Sequence, residues 1–188
     1  MTTGTPLALS DAIEIRSLDA SHARSFRVLR QKALREFPEA FSLTYTEERD
    51  TPWSDYLQRF SAEWTSGDSV ILGAFRQEEL VGAIGLRRWE REKLRHKSYI
   101  WVFFVDPAAR RAGIGKRLFS TALQYAAELT DLEQIQLSVS TENQTARAIY
   151  VASGFEPFGR EAIHRLGYRR MVFSSLPAGT RYAFDEDE

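Results

Sequence analysis

The chain contains no cysteine. Disulfides, zinc–thiolate centres and a cysteine nucleophile are therefore excluded. No apolar run approaches 18 residues, and no basic N-terminal segment leads into an apolar one. A membrane span, a membrane-surface role and a secretory leader are accordingly not expected, and the cytoplasm is the expected compartment. Net charge is nearly absent: 25 basic and 26 acidic residues give −1. A domain bound mainly to nucleic-acid phosphates needs a strongly basic balance, so nucleic acid is not an expected partner. Internal repeats and linkers are missing as well. What is present is 43% hydrophobic and 27% charged sequence over 188 residues. That predicts one globular domain with a sizeable core.

The pattern divides into a short polar tail over 1–10, a domain over 11–176 and an acidic tail over 177–188. Ile13–Leu18 alternates apolar and polar and reads as a strand. Asp19 or Ser21 can cap a helix that ends at Pro38. Residues 39–50 read as a loop rich in Tyr, Phe, Thr and Glu. Thr51-Pro52 has the form of a helix start, threonine as cap and proline at the first position. That helix carries Trp53, Tyr56, Leu57, Phe60 and Trp64 at core-like spacing. Strands are expected over 69–75 and 80–87, as a hairpin. The nearly continuous apolar run 98–105 predicts a central strand covered on both faces. A helix follows Gly113 and buries Leu118, Phe119, Ala122, Leu123 and Ala126. Strand 134–140, helix 143–153 and strands near 155–160 and 169–175 complete the order β α α β β β α β α β β.

Two stretches carry chemistry. Val105–Gly115 joins the central strand to a helix through Asp106-Pro107, a basic loop and Gly113-Ile114-Gly115. Such a connection directs backbone N–H groups and a positive helix end toward one point, which suits a phosphate. Arg110, Arg111, Lys116 and Arg117 add positive charge. A Walker loop fails here because Arg110 stands at its first glycine and Arg117 where a hydroxyl belongs. A dinucleotide fingerprint fails at Leu118. The second stretch is Asn143-x-x-Ala146-x-x-x-Tyr150-x-x-x-Gly154-Phe155. Seven helical residues turn about 700°, so Asn143 and Tyr150 are expected on one face, about 10 Å apart. Ala146 leaves room between them, and Gly154 stops the helix.

Arg110-Arg111-Ala112-Gly113-Ile114-Gly115 resembles the acyl-CoA-binding loop of the GCN5-related N-acetyltransferases (GNAT), and the second stretch resembles the other half of that family's cofactor site. Both occur in order, about 30 residues apart. The resemblance implies a single-domain α/β (α+β) fold: a mixed central sheet of about seven strands with about four helices, its central strand bulged and splayed from its parallel neighbour, 134–140, to make a slot for CoA. It implies that the backbone of Phe103, Phe104 and Val105 bonds the pantetheine arm. Amides and side chains over Arg110, Arg111, Ala112, Gly113, Ile114, Gly115 and Lys116 would hold the pyrophosphate, with Asn143 nearby. Tyr150 would act as general acid at the sulfur. The implied activity is transfer of an acetyl group from acetyl-CoA to a primary amine of a small molecule or peptide, with no metal, by a monomer or homodimer. Transfer would be direct, since an acetyl-cysteine intermediate is impossible.

The acceptor wall is expected over 38–51, with Phe41, Tyr45 and Glu47 as substrate contacts. A base is not legible. His22, His96 and His164 lie outside both motifs, and Glu47, Glu48, Glu90 and Glu142 compete with a water-mediated route. Transfer of a different acyl group, or a non-catalytic acyl-CoA sensor on the same fold, is the alternative function. A pure interaction domain has no need of both motifs.

Overall fold

The computed structural model describes residues 12–65, 68–110, 113–162 and 169–175. Seven strands form one mixed sheet: β1 (Ile13–Ser17), β2 (Val70–Arg76), β3 (Glu79–Arg88), β4 (Lys97–Val105), β5 (Gln134–Ser140), β6 (Glu156–Ala162) and β7 (Arg169–Ser175). Their order is β1-β2-β3-β4-β5-β7-β6. Neighbours are antiparallel except β4 and β5, which run parallel. Five α-helices flank the sheet: α1 (Ala23–Glu36), α2 (Tyr45–Asp50), α3 (Trp53–Thr65), α4 (Ile114–Glu128) and α5 (Gln144–Ala152). One face is covered by Leu118, Phe119 and Ala122 of α4 with Tyr150 of α5. The other carries Phe26, Leu29 and Ala33 of α1 with Tyr56 and Phe60 of α3.

The feature that shapes the site is a bulge in β4. Gly85 pairs with Val102 and Leu86 with Ile100, so Trp101 is an extra residue on β4. A bulge interrupts the two-residue alternation of side chains and bends the strand. Ile100, Phe103 and Val105 therefore pack toward α4, while Trp101, Val102 and Phe104 pack toward α1. The strand is central and covered on both faces, as expected, with β4 residues alternating between buried and half-buried. Pairing of β4 with β5 runs from Lys97↔Gln134 to Ile100↔Leu137 and stops at the bulge. Beyond it the two strands splay.

The fifth helix lies where a plain loop was expected. Phe37 ends α1, and Pro38–Ala40 forms a 3-10 turn. Thr44 and Glu47 then close a capping box that starts α2. The spacing Thr-x-x-Glu is a recognisable helix start. Arg27 donates to the carbonyls of Glu48, Arg49 and Thr51 at 3.0, 3.2 and 2.6 Å, which satisfies the end of this short helix. The Thr51 hydroxyl donates to the Glu47 carbonyl rather than capping α3. Tyr56 N–H bonds the Pro52 carbonyl, so Pro52 sits at the cap of α3, one position earlier than expected.

Candidate functional site

The site begins where β4 leaves the sheet. Asp106 Oδ1 accepts from Ala108 N–H at 2.9 Å, and its Oδ2 accepts from Lys32 Nζ of α1 at 2.6 Å. Burial alone would raise the Asp106 carboxyl, but these bonds hold it below its ordinary value. The loop is thereby pinned to α1. Gly113 caps α4 with φ 70°, a left-handed conformation that favours glycine. The first helical bond is Arg117 N–H to Gly113 C=O at 3.0 Å. The amides of Ile114, Gly115 and Lys116 thus have no intrahelical acceptor and form the positive end of α4. A Cβ at Gly113 would meet nothing within 4 Å, and one at Gly115 would lie 3.6 Å from the Phe103 ring. The space beside this helix end is open.

It opens into a cavity of about 760 Å³ that runs through the splay. Its walls include Trp101–Val105 of β4, Ser138–Ser140 of β5, Gly113–Lys116 of α4, and Asn143, Ala146 and Tyr150. Phe37, Glu39 and Phe41 close the side toward α1, and Glu142 the side toward α5. The structure therefore brings together Phe103, Phe104, Val105, Arg110, Gly113, Ile114, Gly115, Lys116, Asn143, Tyr150 and Phe41. Arg111, Ala112 and His164 lie outside the described residues, as does the side chain of Trp64.

Several side chains stand differently from expectation. Arg110 Nε donates to the Val105 carbonyl at 3.1 Å, and its guanidinium carbon lies 4.8 Å from the Phe37 ring centroid. Arg110 thus ties the loop before α4 to the end of α1. Arg117 turns to the Ile13 carbonyl and leaves the site. Asn143 precedes α5 rather than lying within it, and its Oδ1 accepts from Ala146 N–H at 3.1 Å. Its side chain is therefore also a helix cap. Tyr45 and Glu47 do not line the cavity. Arg35 and Arg49 flank the Tyr45 ring at 4.9 and 5.8 Å. Glu47 is held by the Thr44 N–H and hydroxyl, both at 2.8 Å, and its carboxyl lies below its ordinary value for that reason. His22 bonds Asp19 within a turn, and Glu90 pairs with Arg87.

Tyr150 is 4% exposed. The rings of Phe119, Phe103 and Phe155 surround it at centroid distances of 5.2, 6.2 and 6.3 Å. Burial pushes its phenol far above the ordinary value of 10.0. The Tyr-x-x-x-Gly-Phe spacing has a local cause as well. Phe155 N–H bonds the Tyr150 carbonyl and Gly154 N–H bonds the Val151 carbonyl, with Gly154 at φ 83°. This is a Schellman stop, and the Tyr150–Phe155 contact is its usual apolar clasp.

Sequence reasoning missed Phe37, Trp101 and Ser138. Trp101 reaches the wall through the bulge, which the family resemblance implies but no residue pattern places. Phe37 sits before a helix-ending proline, which marks a boundary but not a binding surface.

The sequence matches the acetyltransferase (GNAT) family over residues 31–155. The chain belongs to that family. A curated relative, N-alpha-acetyltransferase 30 of Mus musculus, is 30% identical over 82% of this chain and 41% of its own length. Mycothiol acetyltransferase of Salinispora tropica is 27% identical over 74% of this chain and 43% of its own. The chain thus spans less than half the length of either. Among solved structures, a Salmonella typhimurium acetyltransferase described with its cofactor acetyl-CoA superposes with a TM-score of 0.76 at 15% identity, covering 94% of this chain and 99% of that one. That likeness shows the GNAT fold.

Proposed function

We propose that this GNAT protein transfers an acetyl group from acetyl-CoA directly to a primary amine. The observation that carries the reading is the splay of β4 from β5 beside the free amides of α4. Parallel pairing ends at Ile100↔Leu137, so the facing edges of 101–105 and 138–140 have backbone groups available to a ligand. A thin, amide-bearing arm fits such a slot, and a pyrophosphate fits the end of α4. The cavity is of the size that encloses a cofactor-sized ligand. The relative solved with acetyl-CoA supports the same assignment.

Bound acetyl-CoA supplies the thioester carbon that the amine attacks. The edge of β4 orients that group, and the aromatic walls exclude water from it. Tyr150 keeps its Oη proton at neutral pH, as an ordinary phenol does, and burial raises its pKa further. It can deliver that proton to the departing sulfur. Relatives named as an N-alpha-acetyltransferase and a mycothiol acetyltransferase are consistent with a peptide or small-molecule amine as acceptor. The test is thiol release from acetyl-CoA with a panel of primary amines. Amine-dependent release supports the reading. CoA binding with no release from any amine makes the protein an acyl-CoA sensor instead.

A further inference from the structure

Four acids lie between Pro38 and Thr51, and three are already held. Glu47 accepts from Thr44 twice. Glu48, 2% exposed, lies 3.3 Å from Arg30 Nε. Asp50 takes Arg49 at 2.7 and 3.1 Å. Glu39 has no hydrogen bond or ion pair among the described residues. It is also the one of the four that lines the cavity. Its 3-10 turn reaches across the sheet to β5, so Glu39 stands over the splay on the face away from α4. The position is half-buried, at the wall of the cavity, where a carboxylate attracts a cationic ligand.

Two cations and one further acid also line the cavity. Arg110 is held by the Val105 carbonyl and the Phe37 ring rather than by Glu39. Lys116 sits in the first turn of α4. Glu142 lines the opposite bank. Phe37 and Phe41 flank Glu39 in sequence and line the same wall.

We propose that Glu39 determines acceptor specificity: its carboxylate receives the ammonium of a cationic amine, while Phe37 and Phe41 hold an apolar stem next to that nitrogen. The proposal rests on the transferase reading of the cavity. An acceptor of this class is a primary amine with hydrocarbon adjacent to the charged end, and neutral amines are disfavoured.

The experiment screens spermidine, kanamycin, lysine amide and a synthetic peptide with a free α-amine against the full chain with acetyl-CoA. The best-used amine is then carried into steady-state kinetics with Glu39→Gln and Glu39→Asp, both substrates varied. The expected result is an acceptor KM raised about tenfold in Glu39→Gln, as for one lost charge-assisted hydrogen bond. Acetyl-CoA KM and melting temperature stay unchanged, and Glu39→Asp falls between. Raising salt should increase the wild-type acceptor KM toward that of Glu39→Gln and leave the variant flat. An unchanged acceptor KM, or a loss of acetyl-CoA binding in Glu39→Gln, overturns the proposal. Absence of turnover by the wild type on every amine, with CoA bound, overturns the transferase reading and this proposal with it.

Discussion

At the scale of single residues, Tyr150 and Gly115 separate chemistry from binding. Tyr150→Phe retains the ring among Phe103, Phe119 and Phe155 and removes only the proton. Turnover should fall by about 10²-fold with CoA affinity preserved. Wild-type turnover in the variant, with chemistry rate-limiting, reduces Tyr150 to a packing residue. Gly115 is the cleaner glycine to change. A Cβ there makes only ordinary contact with Phe103, whereas any side chain at Gly113 must adopt a left-handed φ and brings strain of about 1–2 kcal/mol. Gly115→Val should therefore abolish CoA binding with a small change in melting temperature. Phe41→Ala should raise the acceptor KM several-fold and spare acetyl-CoA, since Phe41 lines the α1 side of the cavity. Glu47→Gln should instead loosen the Thr44 cap, a change visible in thermal melts rather than kinetics.

At the scale of elements, the cofactor motifs are built into helix termini, and this explains how readable they were. Asn143 is the cap of α5 and Gly154 its stop, both recognisable residue types in a chain met for the first time. The same fact gives each residue two tasks. Asn143→Ala should cost about 1 kcal/mol of stability through the lost cap, besides weakening CoA. Asn143→Asp keeps the cap acceptor and removes the amide donor. Differential scanning calorimetry should show a native-like melt for Asn143→Asp, and calorimetric titration should show weakened CoA. If both variants bind CoA as the wild type does, Asn143 is a cap alone. The segment 38–51 was less legible. Thr44-x-x-Glu47 does spell a helix start, but a six-residue helix inside a polar stretch gives no periodicity to detect. Which of these acids faced the cavity depended on Thr44, Arg30 and Arg49, each of which takes one of them away from it.

At the scale of the whole molecule, a sheet with a core on each face opens between β4 and β5, and the cavity lies in that opening. The strand and helix order was legible because most elements are long and periodic. The bulge was implied by the family resemblance alone; its place at Trp101 arises from β3–β4 register and leaves the apolar run 98–105 unbroken in sequence. The two faces also share a titration signature. Tyr56 and Tyr150 are both buried, and desolvation raises both phenols well above 10.0. A folded-state pKa above the unfolded value gives stability that is complete below about pH 10 and is lost as pH rises beyond it. Melting temperature should be level from neutral pH to about 9 and fall steeply above 10. A steady decline through neutral pH contradicts that assignment. The most direct test of the site is calorimetric titration of the wild type and Gly115→Val with CoA. One site per chain in the wild type, and none in a Gly115→Val protein that melts normally, is the predicted result. No binding by the wild type, or equal binding by both, contradicts the placement of the cofactor between β4, β5 and the N-terminus of α4.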